Sequence, residues 1–159
     1  MPEKILMIGW EFPPKNSGGL GVACKGIVEH LVDAGNRVTL VLPAAMSLFE
    51  VYPTEFYTNK GNLYKVIFVN SRITPYASCD LANYSGNIVD DAQEYSRKII
   101  ATIIDIDFDI IHVHDWLTVP AGLTIKKLSG KPLIMHVHST EFDRTAGGNP
   151  YEELSLIHI

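Results

Sequence analysis

From Lys4 to Leu42 the order of segments leaves few folds open: an apolar run, a glycine-rich stretch, an amphipathic run, then a second apolar run. Lys4-Ile-Leu-Met-Ile-Gly9 is nearly continuous in apolar residues, as a strand covered on both faces requires. Leu20, Ala23, Ile27, Leu31 and Ala34 then recur at helical spacing, with Ser17 placed to cap that helix and Gly35 to end it. Arg37-Val-Thr-Leu-Val-Leu42 reads as the second strand, stopped by Pro43. Two strands joined through a helix of this length pair in parallel, with a right-handed crossover.

The stretch inside this unit, Trp10 to Gly21, reads Trp-Glu-Phe-Pro-Pro-Lys-Asn-Ser-Gly-Gly-Leu-Gly. A glycine-rich loop that leads from a strand into a helix start suits an anionic phosphate. Backbone N–H groups without intrahelical partners point out of the helix, and its dipole adds partial positive charge. Gly18 and Gly19 carry no Cβ, so a ligand can come close to the backbone. The same residues also suit a purely structural turn, and the rest of the chain has to decide between the two.

Beyond Pro43 the pattern loosens. Phe49, Tyr52, Phe56 and Tyr57 show no clear period, and Asn59-Lys-Gly-Asn62 is a turn signal. Leu63 to Val69 reads as a strand, paired through that turn with residues around Glu55 to Thr58, and Asn70 to Gly86 reads as loop. Asn87 is placed to cap a second long helix, with Asp90 and Asp91 in its first turn and Ile88, Ala92, Tyr95, Ile99 and Ile103 as its buried stripe. Asp109-Ile-Ile-His-Val113 is the next strand. Thr118 caps a third helix with Pro120 in its first turn and an end near Gly130, and Pro132-Leu-Ile-Met-His-Val137 is a last strand. Strands alternating with helices in this way predict an α/β fold, a doubly wound parallel sheet of the Rossmann-like kind. The end, Leu154-Ser-Leu-Ile-His-Ile159, breaks off without a closing helix and matches an in-frame translation of a sequencing-library transposase adapter. The expectation is therefore a truncated α/β domain over residues 1–153 and a non-native tail over 154–159.

Composition excludes several classes. With 47% hydrophobic and 19% charged residues, the 159-residue chain has the make-up of an ordinary globular domain with a real core. A net charge of −5 and the lack of any Lys/Arg run argue against a nucleic-acid partner. No segment reaches the ~20 apolar residues of a membrane helix, and no basic region followed by a long apolar run marks a signal peptide. Cys24 and Cys79, without C-x-x-C spacing, suit two free thiols in a reduced, cytoplasmic setting.

Ligands of open parallel sheets bind beyond the carboxyl ends of the strands. Four features fall there: the glycine-rich loop, His112-Val-His-Asp-Trp116, His136-Val-His-Ser-Thr-Glu141, and Phe142-Asp-Arg144 with Gly147-Gly148. Residues two apart on a strand face the same side, so each His-Val-His puts two imidazoles on one face. His112 and His136 suit hydrogen-bonded core positions as well as ligand contacts. Asp115 suits a helix cap as well as a binding role, and Trp116 suits the core. His138 and Glu141 lie past the strand end, where function explains them better than packing. Arg144 suits either a phosphate or a surface pair with Asp143, and Cys24 reads as a buried thiol.

Three functions compete for these residues. A dinucleotide-dependent oxidoreductase fits poorly. Gly19-x-Gly21-x-x-Cys24 lacks the third glycine, the loop is too long for the tight turn, and Pro43-Ala-Ala follows the second strand where a ribose-binding carboxylate belongs. A zinc hydrolase would take the two His-Val-His pairs with Asp115 and Glu141 as ligands. Transfer of a sugar from a nucleotide donor accounts for the loop, the clusters and the missing fingerprint together. A non-catalytic module that binds a sugar or nucleotide is the remaining alternative.

The motifs Trp10-Glu-Phe-Pro-Pro14, Gly18-Gly-Leu-Gly21, His112-Val-His-Asp-Trp116 and His136-Val-His-Ser-Thr-Glu-Phe-Asp-Arg144 match one family in order, over almost the whole chain up to Pro150. The chain resembles the N-terminal domain of GT-B-fold retaining glycosyltransferases of the glycogen/starch synthase type. The resemblance implies glucose transfer, with retention, from a nucleotide sugar (ADP-, UDP- or GDP-glucose) to a glucan or other glycan acceptor, with no cofactor and no metal. It places Gly18 and Gly19 at the donor diphosphate, and Lys15, Glu141 and Arg144 on the donor side. His138 matches the histidine that contacts the donor sugar. Asp115 lines the acceptor side of the cleft, with His114 and Trp116 beside it. Starch and bacterial glycogen synthases carry Lys-x-Gly-Gly; here Asn16 stands at that spacing and Lys15 one residue earlier, so ADP-glucose is not singled out. The family's second domain, which supplies most nucleotide contacts, is absent, and the chain alone is expected to be inactive.

Overall fold

A computed structural model describes residues 1–14, 19–44, 54–73 and 88–138. Six strands form one sheet: β1 (Lys4–Ile8), β2 (Arg37–Ala44), β3 (Thr54–Tyr57), β4 (Leu63–Asn70), β5 (Ile110–His114) and β6 (Leu133–His136). Their order is β3-β4-β2-β1-β5-β6, and every neighbouring pair is parallel except the β3–β4 hairpin at one edge. Three helices connect them: α1 (Gly19–Asp33), α2 (Ile88–Thr102) and α3 (Val119–Ser129). The doubly wound α/β sheet is therefore the observed architecture.

Each face of the sheet has its own core, because side chains alternate along every strand. Ile5, Met7, Leu40, Leu42 and Val66 pack with Cys24, Val28 and Val32 of α1. Leu6, Ile8, Val41, Ile67, Ile111 and Val113 pack with Ala92, Tyr95 and Ile99 of α2 and with Ala121 and Ile125 of α3. The chain crosses to the opposite side of β1 between β4 and β5. The point where the winding reverses thus lies between β1 and β5, which is where open α/β sheets form their crevice.

Three local details position that crevice. Tyr95 is fully buried on α2, and its hydroxyl donates to the Gly9 carbonyl at 2.8 Å, which pins the residue from which the glycine-rich stretch departs. Gly122 lets α3 lie close on β5, since a Cβ there would meet Val113 Cγ1 at 2.6 Å. Gly130 ends α3 in the left-handed region, with φ 70° and its N–H bonded to the Lys126 carbonyl.

The structure corrects three expectations. Pro43 does not stop β2, which runs on to Ala44. The last β1–β2 pairing is Ile8 with Val41, so Pro43 lies where the β1 side of the strand is already open and its missing N–H breaks no bond there. Thr118 stands before α3 but makes no side-chain cap; its hydroxyl donates back to the carbonyls of His114 at 2.7 Å and Asp115 at 3.1 Å. Asp90 and Asp91 stand in the first turn of α2 as expected, and Asp91 is buried there. Of the α2 stripe, Ile88 is only half-buried, while Ala92, Tyr95, Ile99 and Ile103 are in the core. Ser17, Asn87, Cys79 and the tail 154–159 lie outside the described residues. No helix among the described residues is long and apolar enough to cross a membrane.

Candidate active site

The candidate residues meet at the carboxyl edge of β1, β5 and β6. In β5, Ile111 and Val113 face the α2–α3 core, which turns His112 and His114 to the face that carries α1. The parallel register sets His114 opposite His136. The imidazoles stack as a ladder, with ring centroids 4.4 Å apart for His112–His114, 5.2 Å for His114–His136, 5.2 Å for His114–His138 and 4.4 Å for His136–His138. Both His-Val-His motifs thus contribute to one cluster.

His114 is its hub and is wholly excluded from solvent. Its Nδ1 lies 2.8 Å from Nε2 of His138 and 3.5 Å from Sγ of Cys24, while its Nε2 is buried without a hydrogen-bond partner among the described residues. Burial and neighbouring imidazoles both disfavour the protonated form. The pKa of His114 falls to about 2, mainly through desolvation and then through repulsion from His112, His138 and His136. That of His112 falls to about 4 for the same first reason, with His136 and His138 adding to it. His138 is pulled both ways: desolvation lowers its pKa, the Asp115 carboxylate raises it, and the net shift is downward. These three rings are therefore neutral near pH 7, each with a lone pair to offer.

Asp115 follows β5 directly and takes φ 58°, a conformation that Asp adopts more readily than most residues. Its N–H donates to the His136 carbonyl at 2.9 Å, and its Oδ1 accepts the His138 N–H at 2.7 Å. One aspartate thereby ties the end of β5 to the end of β6 and fixes where the His138 backbone leaves the sheet. Asp115 is not the cap of α3, which begins at Val119. Trp116 is half-buried against the α2–α3 core.

On the α1 side, Gly19 is the first residue of the helix, is exposed, and has nothing among the described residues within 4 Å of a Cβ position. A helix N-terminus at this edge of the sheet suits an anion. Of the sequence-selected residues, His114, Asp115, Trp116, His138 and Gly19 share this edge, while Lys15, Gly18, Glu141 and Arg144 lie outside the described residues. Sequence reading missed that Cys24 faces the cluster. The thiol is buried, its pKa is pushed up to about 12 by desolvation and then by Asp115 and Glu11, and its partner His114 is 90 residues away. The apolar period of α1 marked Cys24 as core, and no local signal names what it touches across the sheet.

The family model described as starch synthase catalytic domain matches residues 4–158. An uncharacterized glycosyltransferase of Methanocaldococcus jannaschii is 31% identical over 158 residues, which covers 98% of this chain and 35% of that protein. A glycogen synthase of Mycobacterium tuberculosis is 24% identical over 154 residues, covering 91% and 35%. This chain therefore spans about a third of the length of these relatives. Among solved structures, a sucrose-phosphate synthase from Thermosynechococcus elongatus superposes with a TM-score of 0.66 at 12% identity, over 94% of this chain and 36% of the other. An E. coli trehalose-6-phosphate protein bound with UDP-2-fluoro glucose gives 0.58 at 14% identity, over 96% and 37%. Both are GT-B glycosyltransferases, so the sheet described above is the fold of part of a GT-B enzyme. With the family model spanning nearly the whole chain, this protein belongs to the starch synthase catalytic domain family.

Proposed function

We propose that the intact protein moves glucose from a nucleotide sugar to a glucan or related glycan hydroxyl with retention of configuration, and that this chain forms one wall of the cleft. The observation that carries the proposal is the meeting of three groups at the β1/β5 crevice: the open N-terminus of α1, the left-handed Asp115, and His138 held by Asp115 Oδ1. Leaving-group departure puts negative charge on a diphosphate, and N–H groups at a helix start with open space at Gly19 suit that charge. His138 is neutral near pH 7 and half-buried, suited to hydrogen-bond a sugar hydroxyl. Asp115, with His114 and Trp116 beside it, is assigned to the acceptor side. Lys15, Gly18, Glu141 and Arg144 are proposed to complete the donor side.

The opposing domain must come from the remainder of the protein, and the 159-residue chain is proposed to be inactive alone. Two cysteines without C-x-x-C spacing suit work in the cytoplasm. The test is transferase activity of the intact protein with ADP-, UDP- and GDP-glucose in turn. His138→Ala and Asp115→Ala are each expected to lower kcat/KM by more than about 100-fold, the scale of losing a group that acts at the transition state, with the circular dichroism spectrum kept. Near-normal turnover in both variants would overturn the assignments.

A further inference from the structure

We propose that the amino edge of the sheet, opposite the candidate active site, carries a binding groove for a sugar monophosphate. Arg37, Lys65 and Thr39 hold the phosphate, and Asp105 and Asp107 accept from the sugar hydroxyls. The groove uses none of the residues assigned to the transferase site and does not depend on that function.

The groove has a volume of about 640 Å³, inside the usual range for small-molecule sites and far more than a lone phosphate fills. Its lining includes Lys4, Arg37, Thr39, Lys65, Asp105 and Asp107. Strand alternation and register bring the cations together. Lys4 stands opposite Arg37 and Thr39 opposite Lys65, all on the face that buries Leu6, Val41 and Ile67. With strands about 4.8 Å apart and residues two apart about 6.6 Å along a strand, the Cα atoms of Arg37 and Lys65 are about 8 Å from each other, a gap that both side chains span. On the other side, α2 ends at Thr102 and the chain returns to β5 through Asp105 and Asp107.

The charges are sorted across the groove. Lys4 Nζ is paired with Asp107 Oδ2, which keeps that carboxylate ionised. Arg37 and Lys65 are exposed and make no ion pair among the described residues. Glu55 stands opposite Lys65 in the β3–β4 register but is not part of the lining. A guanidinium offers paired donors that match a phosphate, an ammonium adds a point charge, and the Thr39 hydroxyl adds one more donor. Ionised carboxylates only accept, so Asp105 and Asp107 suit hydroxyls and repel a second phosphate. Leu63 and Ile106 supply apolar surface for the C–H face of a sugar ring. One anionic end and one hydroxyl-rich end fit a sugar monophosphate better than a nucleotide. The length of β1, five residues or about 17 Å, separates this groove from the glycine-rich stretch, so its occupation leaves the carboxyl edge free.

The experiment is an amide NMR titration of the 159-residue chain with ribose 5-phosphate, with ribose and inorganic phosphate as separate arms. Ribose 5-phosphate is expected to saturate at one per chain and to shift the amides of Arg37, Thr39, Lys65 and Asp107. It should bind at least about tenfold more tightly than ribose or phosphate, because neither alone uses both ends of the groove. Arg37→Gln and Lys65→Gln should each weaken it at least about tenfold, the scale of one charge-assisted hydrogen bond, and both positions are exposed, so the fold is kept. Lys127→Gln, at an exposed cation on α3, should leave binding unchanged. Shifts confined to Gly19 and His138 would put the phosphate at the carboxyl edge and overturn the groove. So would an absence of saturable binding, inorganic phosphate binding as tightly as the ester, or undiminished affinity in both variants.

Discussion

Acidification from pH 7 to pH 5 should destabilise the chain by about 2–4 kcal/mol, through the buried histidines rather than the carboxylates. In the folded protein the pKa values of His112 and His114 lie at about 4 and about 2, against an ordinary value of 6.5. The unfolded chain therefore binds these protons first. Stability is complete above about pH 6.5 and is lost as the pH falls toward the folded values. Each pH unit inside that window costs about 1.4 kcal/mol per histidine, so 1.5 units cost about 2 kcal/mol for one ring. Two independent rings would give about 4 kcal/mol; their 4.4 Å separation makes the sum an upper bound, because part of the depression is mutual repulsion. The carboxylates with lowered pKa values, Asp33, Glu94 and Asp107, lose their contributions only below the window. The assay is urea unfolding at pH 7.0, 6.0, 5.5 and 5.0. With a urea m-value of about 2 kcal/mol/M, in the middle of the usual range, the midpoint should fall by roughly 1–2 M at an unchanged slope. A midpoint that moves by less than about 0.3 M, or an equal fall in a His114→Asn variant, would refute the assignment of acid sensitivity to these rings.

Tyr95→Phe removes the hydroxyl that donates to the Gly9 carbonyl at a fully buried site, and should cost about 1–3 kcal/mol by urea unfolding without changing the spectrum. Gly122→Ala drives a methyl against Val113 and Leu133, and should cost about 1–3 kcal/mol while α3 moves off β5; a neutral result would mean that the helix is not seated so closely. Gly19→Ala meets no atom of the described residues within 4 Å, and Gly19 is not among the positive-φ glycines, so stability should hold or rise by up to about 1 kcal/mol. In the intact protein the same substitution should lower kcat/KM at least about tenfold, because the methyl occupies space proposed for the donor; full activity would place the donor elsewhere. Asp115→Asn keeps both an oxygen acceptor for the His138 N–H and a residue tolerant of φ 58°. A purely structural aspartate would then leave turnover intact, whereas an acceptor-side carboxylate should lose most of it.

The alternation of β, α and β segments, the parallel sheet and its winding were legible in the chain, because hydrophobic period and glycine placement are local properties that burial on two faces imposes directly. The carboxyl edge was legible for the same reason: His112, His114 and His136 lie in the last residues of the strand pattern, Asp115 and His138 follow β5 and β6, and strand ends in such sheets face a crevice. What the local pattern did not contain was any pairing across the sheet. It marked Cys24 as a core thiol and Thr118 as a cap, yet the thiol meets His114 and the Thr118 hydroxyl turns back to the β5 carbonyls. Pro43 read as a strand stop because its effect depends on whether a neighbour still needs its N–H, and the length of β1 decides that. The hub role of His114 emerged only when the β5–β6 register set it opposite His136, with His138 2.8 Å away. Period and composition are summed along the chain, whereas the charge state of an imidazole and the partner of a thiol depend on distances between residues tens of positions apart, and only folding sets those distances.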